Sequence, residues 1–165
     1  MQFRWCRFEE LRSDELYAVL ALRQAILVVE QASPYADLDF IDQTAEHLLV
    51  TSGADLVAYA RCQAPSAQQN HASFGRLVVA REYRGQGLGK EIVRRILARL
   101  ADASATDVRI GAQLYLERFY AQFGFVRDGE PYDDSGVMHV DMRLRLSQAA
   151  IPRGESTQKA ALNPR

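Results

Sequence analysis

Two cysteines, Cys6 and Cys62, are all that the 165 residues contain. A disulfide-stapled scaffold needs more than that. Both fall in strand-like segments, where a reduced thiol in the core is the expected state. The three histidines stand far apart, at 47, 71 and 139, so the Cys/His spacing of a metal site is missing too. No apolar run approaches the roughly 18 residues of a membrane-spanning helix. The opening residues, Met1 to Cys6, lack the apolar stretch of a secretory signal. An excess of charge is absent as well: 20 basic against 21 acidic side chains leave a net charge of −1. A nucleic-acid binder usually carries a broad basic face, so neither nucleic acid nor membrane is expected as a partner. These absences describe a cytoplasmic, metal-free protein.

What remains is ordinary globular composition, 48% apolar and 25% charged. That is enough chain for one domain with a sizeable core. Residues 2–8 read as a strand. Ser13 is a plausible N-cap for a helix running to about residue 27, with Leu16, Val19, Leu20, Ile26 and Leu27 as its apolar face. Residues 32–44 are loop-like, broken by Ser33-Pro34. Residues 47–52 and 56–63 form a hairpin around Gly53, and 64–72 a polar loop. Residues 74–80 are a strand; Leu77-Val78-Val79 is apolar on both faces and belongs at the centre of a sheet. A helix over 87–100, a strand over 107–112 and a helix over 114–123 follow, then strands over 125–127 and 137–146. In the last of these, Val140, Met142, Leu144 and Leu146 alternate with His139, Asp141, Arg143 and Arg145. Strand–helix–strand units of this kind make an α/β layered domain. It spans residues 1–146. Residues 147–165, with Pro152 and Pro164 and little to bury, read as a disordered tail.

The stretch Arg84-Gly85-Gln86-Gly87-Leu88-Gly89-Lys90 lies between the apolar strand and the amphipathic helix. A glycine inside a helix costs about 1 kcal/mol relative to alanine, so three within five residues at a helix start need a reason. Glycines let backbone approach a bulky anion, and the free N–H groups and dipole of the helix start hold it. The spacing is neither that of a Walker loop nor G-x-G-x-x-G. Residues 81–99 carry six basic and two acidic side chains, a local excess against a near-neutral chain. Arg84 and Lys90 flank the turn and are best placed to meet phosphate.

Arg84, Gly87 and Gly89, read as R-x-x-G-x-G, resemble the acyl-CoA signature of the GNAT N-acetyltransferase superfamily. Ala112-Gln113, followed by Phe119-Tyr120-Ala121-Gln122-Phe123-Gly124-Phe125, resembles its second motif, a helix with a tyrosine four residues before Gly-Phe. Leu22-Arg23, Val28-Val29-Glu30-Gln31, Tyr35, Asp39, Asp42, His47-Leu48, Ala58-Tyr59-Ala60-Arg61 and Gly75-Arg76-Leu77-Val78-Val79 resemble the ElaA-type branch. The resemblance covers roughly residues 5–145. It implies a mixed central sheet, splayed near its middle, with helices on both faces. It implies acetyl-CoA as co-substrate, with Leu77, Val78 and Val79 lining the pantetheine and Gly85, Gln86, Gly87, Leu88, Gly89 and Lys90 wrapping the pyrophosphate beside Arg84. Gln113 would bond the cofactor through its amide, and the Val79 N–H would point at the thioester oxygen. A homodimer stays open.

Acyl transfer from a thioester to an amine needs alignment, oxyanion stabilisation, a base for the amine and an acid for the thiolate. The resemblance makes Tyr120 the candidate acid, although Leu116, Phe119, Tyr120 and Phe123 also sit at core spacing. The glutamates that some relatives use as base are replaced here by Gly75-Arg76 and Val108, which leaves Glu30, His47 and His139 as candidates, or a water. Ser33 stands where ElaA-type relatives often have cysteine. Residues 30–46 hold Glu30, Asp37, Asp39, Asp42 and Glu46 with no Lys or Arg. As the rim of an acceptor pocket this loop would favour a cationic amine, small molecule or peptide; otherwise it is a solvated loop. Two functions follow: an N-acetyltransferase acting on a primary amine, or a non-catalytic acyl-CoA-binding module of the same fold.

Overall fold

In a computed structural model, residues 1–66 and 69–146 are described; the expected tail, 147–165, lies outside them. Eight strands among these residues form one mixed sheet. They are β1 (Gln2–Arg7), β2 (Glu46–Ser52), β3 (Asp55–Gln63), β4 (Ala72–Val79), β5 (Asp107–Gln113), β6 (Val126–Arg127), β7 (Tyr132–Asp134) and β8 (Val137–Arg145). The order is β1-β2-β3-β4-β5-β8-β6, with β7 hydrogen-bonded to β8. The hairpin, the central place of β4 and the helix that follows the glycine turn all fall where the sequence puts them.

Two-faced burial explains the unbroken apolar strands. Leu48, Val50, Ala58, Ala60 and Phe74 face α2 (Leu88–Asp102) and α3 (Glu117–Ala121), which present Ile92, Val93, Ile96, Leu100 and Tyr120. Their neighbours Leu49, Tyr59 and Val78 point the other way, onto Val19, Ile26 and Leu27. Helices thus cover both faces, as expected.

The first helix departs from the reading. The α-helix α1 ends at Arg23, and residues Gln24–Glu30 wind as a π-helix. The wider winding continues past its end: Gln31 N donates to Ile26 O at 3.2 Å and Ser33 N to Val28 O at 3.1 Å, five residues back. Ser13 is the first helical residue and not the cap; the Glu15 carboxylate accepts from the Arg12 N–H at 3.0 Å. The expected helix over 114–123 is a 3₁₀ turn, Leu114–Leu116, followed by the short α3. Strand β7 went unread, because three residues carry no alternation to detect. It pairs with β8 through a turn at Ser135-Gly136, whose positive φ values (55° and 84°) match the twist of a tight hairpin.

The sheet opens between β4 and β5. These strands run parallel and pair only at Ala72–Val108 and Ser73–Arg109. Beyond Ser73 they diverge. A bulge in β4 assists: the register with β3 shifts between Tyr59–Val78 and Arg61–Gly75, and Arg76 adopts φ 50°. The splay implied by the resemblance is therefore present, and it holds the site described below.

Candidate active site

A cavity of about 410 Å³ fills the splay. It passes between the two faces of the sheet. Ile26, Leu27 and Glu30 of the π-helix and Gln31, Ser33 and Tyr35 wall it on one side. Phe74, Leu116 and Tyr120 wall it on the other, and β4 and β5 form its flanks. Leu77, Val78, Val79, Arg84 and Gln113, expected at a cofactor site, all line it.

The strand register aims one backbone group into this slot. Ala80 N donates to Val57 O at 2.8 Å. In an antiparallel ladder the next pair, Ala58 and Val79, is then a non-hydrogen-bonded one. The Val79 N–H and C=O are therefore directed away from β3, to the side from which β5 has departed.

The glycine turn ends in a left-handed residue, Gly87, at φ 82°, which is the N-cap of α2. Its carbonyl accepts from Glu91 N, so the N–H groups of Leu88, Gly89 and Lys90 have no helical acceptor. At Gly89 an added Cβ would meet only Phe119 Cζ, at 3.7 Å. Of the two flanking cations, Lys90 is exposed and makes no ion pair among the described residues. Arg84 differs from expectation. Its Nη1 and Nη2 reach the Glu30 carboxylate at 2.6 and 3.1 Å, and its Nε donates to Val79 O at 2.8 Å. Its guanidinium is engaged within the protein.

The proton-transfer candidates sort by geometry. Tyr120 is buried against Phe74, Phe119 and Phe125, with ring centroids 5.1–6.0 Å apart. Its hydroxyl lacks a hydrogen-bond partner among the described residues yet is not fully enclosed. Burial pushes its pKa up to about 12, so it stays protonated at any ordinary pH. The ring packs in the core, and the residue also lines the slot. Glu30 lines the slot, but the Arg84 bond holds its carboxyl below the usual range, which makes it a weak base. His47 is fully buried outside the slot, with Nδ1 on the Tyr59 hydroxyl (2.7 Å) and Nε2 on Asp42 O (3.0 Å). Burial lowers its pKa, and neither nitrogen is free for substrate. His139 lines the slot. Its Nδ1 lies 2.8 Å from Val137 O, which can only accept, so Nδ1 carries the proton and the neutral ring keeps its lone pair on Nε2.

The acidic loop is neither a free rim nor a solvated one. Arg23 pairs with Asp37 and Asp42, Arg61 with Asp42 and Asp39, and Arg76 with Asp39 and Asp37, all at N···O distances of 2.6–3.1 Å, though Arg76 Nε approaches the Asp37 carboxylate without hydrogen-bond geometry. The result is a closed ring of three cations and three anions, with Arg23 completely buried. Glu30 and Glu46 are paired with Arg84 and Arg99. None of the five acids read as an acceptor lure is unpaired. Sequence reasoning also missed the contacts that bridge the slot on this side. The Gln31 and Gln113 amides bond each other at 2.7 and 3.3 Å, and Ser33 Oγ donates to Ser135 O at 2.8 Å. The residues Arg23, Asp39, Asp42, Arg61 and Arg76 that carried the branch resemblance prove to be ring members. Their signal was charge set among apolar strand and helix positions. Among the described residues no group of His, Cys, Asp or Glu is suited to hold a metal. No helix there is long and apolar enough to cross a membrane.

Residues 19–146 match the family described as Acetyltransferase (GNAT) domain. The chain is 38% identical over 148 residues to a UPF0039 protein of Synechocystis, covering 88% of this chain and 96% of that one. It is 36% identical to the protein ElaA of Escherichia coli over 143 residues, 85% of this chain and 94% of that one. The crystal structure of Escherichia coli ElaA superposes with a TM-score of 0.79, covering 86% and 97% of the two chains. An acyl-CoA N-acyltransferase from Pseudomonas aeruginosa superposes at 0.81 with 31% identity, covering 87% and 99%.

Proposed function

The chain belongs to the GNAT acetyltransferase family, and from that premise we propose that it moves an acetyl group from acetyl-CoA to a primary amine by direct attack in a ternary complex. The observation that carries this reading is the slot through the splayed sheet. The β4 edge, the glycine turn, a tyrosine hydroxyl without a partner among the described residues and a histidine of fixed tautomer all meet it or adjoin it.

Residues Gly85 to Lys90 hold the diphosphate through backbone N–H groups and the free Lys90 ammonium. Leu77, Val78 and Val79 run beside the pantetheine, and Gln113 borders it. His139 Nε2 takes the proton that the amine nitrogen gives up as it bonds to the thioester carbon. The Val79 N–H receives the negative charge that develops on the carbonyl oxygen. The C–S bond then breaks and sulfur leaves as thiolate. Tyr120, with a pKa near 12, is a weaker acid than a thiol at about 8.5. Complete proton transfer to a free thiolate would run uphill. Tyr120 therefore acts by donating a hydrogen bond to sulfur as the bond breaks, and solvent supplies the final proton. The pairing of every acid in the 30–46 loop removes the reason to require a cationic acceptor.

The test is a melt followed by a thiol-release assay. Acetyl-CoA at one hundred times its dissociation constant stabilises the fold by about 2.7 kcal/mol, and thiol is released with at least one member of a primary-amine panel. An unmoved melt at millimolar acetyl-CoA sinks the cofactor assignment. Binding without release from any amine makes the chain an acyl-CoA-binding module.

A further inference from the structure

Strand β4 ends at Val79 with its outer edge bare, because the ladder to β5 stops at Ser73–Arg109. A neighbouring strand would normally occupy those backbone groups and fix their direction. Here the Arg84 side chain does so. The peptide unit between Val79 and Ala80 is tied at both ends: its N–H to Val57 O at 2.8 Å, its C=O to Arg84 Nε at 2.8 Å. The other two nitrogens of the same guanidinium, Nη1 and Nη2, donate to both Glu30 oxygens. Glu30 is the last residue of the π-helix, which walls the slot. One planar fork thus joins the free end of β4 to the π-helix. The adjoining peptide unit carries the Val79 N–H, and it moves with the one that is tied.

We propose that Arg84 and Glu30 are a positioning pair that aims the Val79 N–H at the reacting carbonyl, and that the Arg84 guanidinium is not a ligand of the cofactor's diphosphate. This rests on the acyl-transfer reading above. A positioning role needs the fork itself. Lysine keeps the charge but offers one compact ammonium, which cannot serve the Val79 carbonyl and both Glu30 oxygens at once. A phosphate contact would need chiefly the charge.

The experiment compares the parent with Glu30→Gln, Arg84→Lys and Arg84→Gln. CoA affinity is read by calorimetry, kcat with acetyl-CoA and an amine that the parent accepts, and the Val79 amide proton shift by NMR with and without acetyl-CoA. The expected result is a kcat lowered about tenfold or more in all three variants, with the 10²–10³-fold cost of losing a whole oxyanion donor as the ceiling. CoA affinity stays within about threefold of the parent, and the acetyl-CoA-induced shift of the Val79 amide shrinks. Retained kcat in Arg84→Lys overturns the pair. So does a tenfold loss of CoA affinity in Arg84→Gln that Arg84→Lys restores, which would make Arg84 a phosphate ligand. A parent that binds CoA but acylates no amine refutes transfer without touching the pair. The Val79 shift then decides: lost in Glu30→Gln it supports the positioning role, unchanged it overturns it. A parent that binds no CoA overturns both.

Discussion

At the scale of single residues, the slot divides its work by how completely each polar group is satisfied. His47 has both nitrogens bonded and so has no site left for a substrate proton, while Glu30 is made a weak base by the Arg84 fork on both its oxygens. Tyr120 and His139 both line the slot, and each keeps one polar atom without a partner among the described residues. Tyr120→Phe removes only that atom and keeps the ring among Phe74, Phe119 and Phe125. Its melt should match the parent's within about 1 kcal/mol, since the hydroxyl had no hydrogen bond to lose. Its kcat should fall by up to about 10²-fold, the lower end of what removing one donor to a developing negative charge costs. Acetyl-CoA affinity should hold, as sulfur needs the donor only when the C–S bond breaks. A normal kcat with a normal melt would assign Tyr120 to the core alone.

At the scale of elements, α2 and its entry turn form the proposed diphosphate cradle. Gly87 is required by the backbone itself, at φ 82°. Gly89 is not: its φ is ordinary helical and a methyl there meets only one atom at van der Waals distance. Gly89→Ala should therefore melt at the parent's temperature or higher, since alanine in a helix is worth up to about 1 kcal/mol over glycine. Its CoA affinity should drop at least tenfold if the diphosphate approaches the turn's backbone as proposed, because glycine allows that close approach and a methyl crowds it. Melting curves and calorimetry on the same sample check both halves; unchanged affinity would place the diphosphate elsewhere. This turn and the central β4 were legible because glycine spacing and two-faced apolar runs are local signals. The π-helix was not. It buries the same Ile26 and Leu27 that an α-helix would, and apolar spacing does not encode which carbonyl a given N–H selects. Pairing was hidden as well. Arg84 read as a free cation because its partner Glu30 lies 54 residues away. The acids of the loop read as unpaired because Arg61 and Arg76 approach Asp39 from 22 and 37 residues away.

At the scale of the whole molecule, the ring of Arg23, Asp42, Arg61, Asp39, Arg76 and Asp37 ties the 31–45 loop to α1, β3 and β4, and so holds one wall of the slot to the sheet. Partial burial alone would raise the Asp39 carboxyl. The Arg61 fork, the Ile41 N–H and Arg76 outweigh it and hold the pKa down to about 2. In the unfolded chain an aspartate titrates near 3.9. Its stabilising contribution is therefore complete above about pH 4 and disappears as the pH falls from there to about 2. Asp39→Asn should lose about 3 kcal/mol at pH 7, near the lower end for breaking a buried pair, as Asp39 keeps 24% of its side chain exposed. Melts taken from pH 7 to pH 2 should show parent and variant converging in acid; a constant gap would mean that the Asp39 charge does not stabilise the loop. The closed topology also constrains how descendants of this sequence can drift. Every member touches two of opposite sign, so a single replacement strands two neighbours at once. A compensating change at one of them still leaves the other unmatched. Neutral intermediates are therefore scarce. Lineages should keep all six or discard them as a block, and co-inheritance of six positions scattered from 23 to 76 would trace the loop's ancestry more faithfully than overall identity does.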